Sequence, residues 1–164
     1  MKSYFVLFTV ITFLALFSAF DFNNSGNEFN KIIDIVPCEL LTSEQVETVL
    51  PGHDEGYTAL SGGSLMKGVD SYQCSYANEK TDILTVIVHV AADKDKFDWI
   101  KPQPSSSETE IKIGDGGWLS SEPNELRLEA SKGLKVIELN LMADDAQTKT
   151  DALIKLASIL IDKI

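Results

Sequence analysis

Ile83 to Ala92 constrains this chain more than any other stretch. Leu84, Val86, Val88 and Val90 occupy every second position and are all apolar, while Thr85 and His89 fall between them. In an extended strand a period of two puts one such set on one face, so the segment predicts a strand with a buried side. Its β-branched residues favour that conformation, because their stiff side chains fit a pleated surface. A strand of this kind needs partners in a sheet and a second layer over its apolar face.

The flanking sequence supplies both. Tyr72, Cys74 and Tyr76 alternate with Ser71, Gln73 and Ser75, which reads as a half-buried strand, and Asn78 to Asp82 is a polar turn. Downstream, Asp93–Ile100 predicts a short helix that ends before Pro102, followed by a Pro/Ser loop over Lys101–Ser107. Ile111 and Ile113 mark another strand, Gly114-Asp115-Gly116-Gly117 a tight turn, and Trp118-Leu119 its continuation. Leu126, Leu128 and Ala130 alternate up to a hairpin-type turn at Ser131-Lys132-Gly133, and Ile137, Leu139 and Leu141 line the return strand to Met142.

Two helices frame these strands. Thr42 with Gln45 three residues on forms a capping box, and Leu41 with Val46 has the spacing of a hydrophobic staple, so a helix is expected over about 42–50. Pro51-Gly52 stops it. A last helix over about 145–163 carries Leu153, Leu156, Ala157, Leu160 and Ile164 on one face. The expected fold class is α+β, a largely antiparallel sheet with the N-terminal and C-terminal helices packed against it. Sliding the chain by 51 residues lays Val86, Val88 and Val90 over Ile137, Leu139 and Leu141. The match reads as a weak β-β-β-α duplication; convergent strand-to-helix junctions would produce the same match.

The N-terminus bears on compartment. Lys2 precedes Tyr4 to Phe20, seventeen residues without a charge, the layout of a secretory signal over residues 1–20. Phe17 and Phe20 interfere with a small-residue cleavage site, and an uncleaved membrane anchor over residues 4–20 is the alternative. Residues 21–35 read as a flexible tether and 36–164 as one α+β domain. The −11 of the whole chain includes the positive charge of Lys2, so the remainder carries −12. Such an acidic domain repels phosphate backbones, which excludes nucleic acid as the expected partner, and membrane contact is expected only through the N-terminal segment.

In an oxidising compartment the even cysteine count argues for a Cys38–Cys74 disulfide closing a loop of about 37 residues. Two free buried thiols are the alternative. No catalytic residue, metal ligand set or cofactor is expected. His53, in the loop Gly52-His53-Asp54-Glu55-Gly56, reads as a solvated side chain, and His89 as part of a strand's polar face; neither has a second His or Cys at ligand spacing. Gly62-Gly63-Ser64 lacks the Lys-Ser/Thr end of a phosphate loop. Asp93, Asp95 and Asp98 lack the Gly and Glu of a calcium loop and suit a helix start. Asp115 and Trp118, at the glycine turn, are the binding candidates, since glycines allow close approach and a Trp offers contact surface. The bland alternative tucks Trp118 into the core.

Taken in order, Pro37-Cys38-Glu39-Leu40-Leu41-Thr42, Cys74-Ser75-Tyr76, Gly114-Asp115-Gly116-Gly117 and the Lys132-Gly133 hairpin resemble a family of small bacterial secreted proteins and lipoproteins of unknown function. Its pattern is Pro-Cys-x-Leu-Leu-Thr, then Cys-x-Tyr/Trp, then Gly-x-Gly-x-x-Ala, covering about residues 36–162. The resemblance implies an extracytoplasmic (secreted or periplasmic) α+β domain with Cys38 and Cys74 at paired positions, and it offers no catalytic residues. This chain departs from the pattern in lacking a lipid-attachment cysteine and in having Gly117-Trp118 at the end of the glycine motif. The expected function is a non-enzymatic binding or envelope-associated module for a protein or small-molecule ligand. The alternative is a small extracellular hydrolase whose residues converge only in space.

Overall fold

A computed structural model describes residues 35–164. The signal or anchor segment at 1–20, and the tether except for its last residue, lie outside the described residues. That last residue, Ile35, is buried in the core.

Among the described residues, seven strands form one antiparallel sheet: β1 (Tyr57–Met66), β2 (Val69–Ala77), β3 (Ile83–Ala91), β4 (Thr109–Ile111), β5 (Gly116–Glu122), β6 (Glu125–Lys132) and β7 (Lys135–Met142). Their spatial order is β1-β2-β3-β7-β6-β5-β4. Two meanders therefore meet along the central β3–β7 pair, with Val86 opposite Leu139 and Val88 opposite Ile137. The alternation that defines the 83–92 segment is the reason for this position. A strand so apolar on one face is protected best in the middle of a sheet, where it is paired on both edges.

One face of the sheet holds the core. Cys74, Leu84, Val86, Val88, Leu126, Leu128, Leu139 and Leu141 pack in one cluster with residues of two helices, α1 (Ser43–Glu47) and α3 (Thr150–Lys163). Thr42 caps α1 through a complete capping box with Gln45. The helix is shorter than 42–50 because Thr48 turns the chain, after which Val49 and Leu50 still bond back to the Val46 carbonyl and stay buried. At the C-terminus, Ala146–Lys149 forms a 3-10 turn before α3, where one continuous helix from 145 is expected from sequence. Leu153, Leu156, Ala157, Leu160 and also Ile161 are the buried stripe, and Ile164 packs at its edge. Among the described residues no helix is long and apolar enough to cross a membrane.

Cys38, in a 3-10 turn at Pro37–Glu39, is bonded to Cys74 on β2. The bond ties the segment leading into α1 to the buried face of the sheet, where Cys74 is fully enclosed.

β1 is the element that sequence periodicity misses. Its pairing with β2 slips between Thr58 and Leu60, between Ser61 and Gly63, and between Ser64 and Met66. Each bulge resets the two-residue alternation, and Gly62 sits at φ +78°, so no regular pattern survives. The glycine motif also differs from expectation. Gly116 and Gly117 belong to β5, and only Gly114 and Asp115 make the turn. Gly114 is required there: its φ is +57° and a Cβ would lie 2.2 Å from the Ser131 carbonyl oxygen.

Candidate functional site

The second face of the sheet is polar, and it carries most of the ionisable chemistry. At the end where β2 and β3 meet, a third helix, α2 (Lys94–Ile100), follows β3 and packs back on it. Asp93 caps α2 at the Lys96 amide, and Asp98 pairs with Lys94 and Lys101, so both have structural partners. Val69, Ser71, Ala91, Ser131 and Val136 are buried on this side.

Away from α2, one cross-strand row runs Glu110, Trp118, Glu129, Glu138, Ile87 and Gln73, each opposite the next in register. Residues directly opposite in an antiparallel pair have their Cβ atoms about 4.5–5.5 Å apart. Trp118 therefore has a carboxylate on either side. It faces away from the core because its neighbours Gly117 and Leu119 face in, and it is half-buried, which corrects the core placement held as the bland alternative. The next row carries Arg127, which contacts Glu129 through its Nη2 and lies 3.2 Å from Glu138 Oε1 through its Nε. Beside it Asn140 donates to Glu125 Oε1 at 2.8 Å, while its Oδ1 is enclosed without a partner. Burial, then the nearby Glu138 and Glu108, push the Glu129 carboxyl up, against the pull of Arg127.

Asp115, the other candidate, is not part of this row. Its Oδ2 accepts from the Gly133 amide at 2.7 Å and its own amide donates to the Ser131 carbonyl at 2.7 Å. The carboxylate fastens the glycine turn to the β6–β7 hairpin, which is a structural task.

Both histidines meet a serine. Ser71 Oγ lies 2.8 Å from His89 Nδ1, but Ser71 is fully buried, so no substrate reaches that hydroxyl. His53 is not solvated as its loop position suggests: its side chain is only 5% exposed and packs edge-on against Tyr76. Its Nδ1 meets the Asp54 carbonyl, and its Nε2 lies 3.2 Å from the exposed Ser43 Oγ and 3.1 Å from the Ser43 carbonyl. With carbonyls facing both ring nitrogens, the ring ties the 52–56 loop to α1. The same loop holds Asp54, which accepts from the amides of Gly56 and Ala77, and burial with Asp54 nearby raises the Tyr76 phenol.

Burial also holds the His89 imidazole below its ordinary 6.5, with Glu129 opposing the shift. The folded state thus resists a proton that the unfolded chain accepts. Stability present above pH 6.5 is lost as the pH falls below that value toward the lowered folded pKa. Glu129 acts with the opposite sign, since acidification through its raised pKa removes a charge that burial disfavours. We expect His89→Asn to abolish the histidine part of the acid-side loss, read as the difference in urea midpoint between pH 7.5 and 5.5. The same pH slope in both proteins would contradict the assignment.

No family model, curated protein or solved structure matches the chain. Its class is therefore stated from geometry alone: an α+β domain with a core on one face of its sheet, under the C-terminal helix, and a half-buried aromatic–carboxylate row on the other.

Proposed function

We propose that this is an exported, non-enzymatic binding domain whose recognition surface is the polar sheet face centred on Trp118. The observation that carries the reading is the position of Trp118, set between Glu110 and Glu129 on a face that takes no part in the main core. An aromatic ring offers a large, rigid contact area, and carboxylates on both sides of it give direction to what it meets. The ligand is a protein or a small molecule; an acidic face disfavours nucleic acid.

Export is supported by the uncharged run at 4–20 and by the Cys38–Cys74 bond, which persists in oxidising compartments. Cleavage after that run would release the domain, and an uncleaved run over residues 4–20 would hold it at a membrane. The finer reading of the fold, a duplicated β-β-β-α unit, is supported by the two meanders that meet at β3 and β7 and by the helix after each of those strands.

A hydrolase is the second reading, and the contact between exposed Ser43 and His53 Nε2 favours it. Modification of Ser43 by a fluorophosphonate would carry it. The binding reading is tested by hydroxyl-radical footprinting of the full chain, in which Trp118 is expected to oxidise when free and to be protected by ligand.

A further inference from the structure

We propose that the occupant of the Trp118 face is a basic protein segment, docked along the Glu110–Trp118–Glu129–Glu138 row. The inference rests on the binding-face reading above and names the chemistry of its partner.

Charge complementarity is the ground for it. Strands β4 to β7 turn Glu110, Glu122, Glu125, Glu129 and Glu138 to this face, against Arg127, with Lys112 exposed just past the end of β4. Arg127 is shared between Glu129 and Glu138, so it neutralises one of the two. Glu108 adds a further negative potential at Glu129. A carboxylate that is half-buried and close to others of its sign gains when a cation arrives. An ammonium or guanidinium above Trp118 would also meet the negative face of the indole, which adds cation–π attraction to the two flanking carboxylates.

The extent of the row points to a segment rather than a single small cation. Adjacent strands lie about 4.8 Å apart, so Glu110 and Glu138, three strand spacings apart, are separated by about 14 Å. That is the span of about four residues of extended chain at about 3.4 Å each. The same face ends in an apolar pair, with Met142 52% and Ile83 38% exposed and opposite each other in register. A partner with several Lys or Arg residues and a neighbouring apolar side chain satisfies both parts. A small amine would engage one carboxylate and leave the rest of the row and the Ile83–Met142 pair uncovered.

The probe is hexalysine, titrated into the full chain by calorimetry and by hydroxyl-radical footprinting. Binding is expected to protect Trp118, to weaken about tenfold in the Glu129→Gln/Glu138→Gln double variant, and to weaken steeply with added salt. Both substituted residues lie off the core, and circular dichroism checks that the variant is folded; the salt series on the unaltered chain tests the claim independently of it. Hexaglutamate should leave Trp118 unprotected. Equal binding of hexalysine to wild type and double variant, or protection by hexaglutamate, would overturn the proposal. If spermine or a neutral oligosaccharide protects Trp118 and hexalysine does not, the basic segment is wrong and the binding face stands. If no probe protects Trp118, both fall.

Discussion

Reducing the Cys38–Cys74 bond is expected to lower the unfolding free energy by about 4 kcal/mol. The two cysteines lie 36 residues apart. The closed loop contains α1, the 52–56 loop and all of β1. In the unfolded chain the bond removes the freedom of that loop, and its loss restores it. The consequences in the native state are local and add to this. β1 is an edge strand with three register slips, so it depends on its neighbours for its place. Thr58 on β1 and Tyr76 on β2 both bond to Cys38, through its sulfur and its carbonyl. Urea unfolding of the oxidised protein, the dithiothreitol-reduced protein and a Cys38→Ala/Cys74→Ala variant measures the effect. A fall in Tm on the order of 15 °C is expected for a domain of this size. A loss below about 1 kcal/mol would mean that the loop is ordered without its tether.

Leu139→Ala is expected to destabilise the domain by about 3–4 kcal/mol, within the range for truncating a fully buried leucine. Leu139 is central to β7, with Val86 on one side and Leu128 on the other, all fully buried. Neighbours on both flanking strands and the helices above prevent the cavity from collapsing. Glu138→Ala, one residue away, should cost less than about 1 kcal/mol, because its side chain stands on the other face and loses only a partly exposed pair with Arg127. The contrast between adjacent residues is the test of the two-faced sheet. Chemical unfolding of both variants reads it, and similar costs at 138 and 139 would contradict the assignment of faces.

Regular periodicity was legible, and its interruptions were not. Leu84, Val86 and Val88 with Ile137, Leu139 and Leu141 declare their faces because no bulge intervenes between them. The capping box at Thr42 is a local pattern, and it survives into the structure for that reason. β1 escaped because bulges and Gly62 break its alternation, and the shortened α1 because Thr48 ends the helix before the Pro51-Gly52 signal. A loop of Gly, Asp and Glu around His53 suggests a solvated side chain. Its burial comes from Tyr76 and Ser43, whose approach is a matter of tertiary structure.

The site was legible in part. Trp118 stood out beside its glycines, whereas Asp115 drew notice for the same reason and proves to hold a turn. Glu110, Glu129 and Glu138 carried no sequence signal, since the row that joins them to Trp118 exists only through strand register across β4 to β7. The alternation of Glu129 with Leu128 and Ala130 could have assigned its face, but not its neighbours.

The most direct test of the Trp118 face is hydroxyl-radical footprinting of the full chain with and without hexalysine, with Trp99 as an internal reference. Trp99 is 74% exposed on α2, so it oxidises readily in either state. Trp118 should oxidise more slowly in the free protein, and its rate should fall several-fold on addition of hexalysine while that of Trp99 holds. A Trp118 that resists oxidation in the free protein, or two tryptophans protected to the same degree, would contradict a recognition surface centred on Trp118.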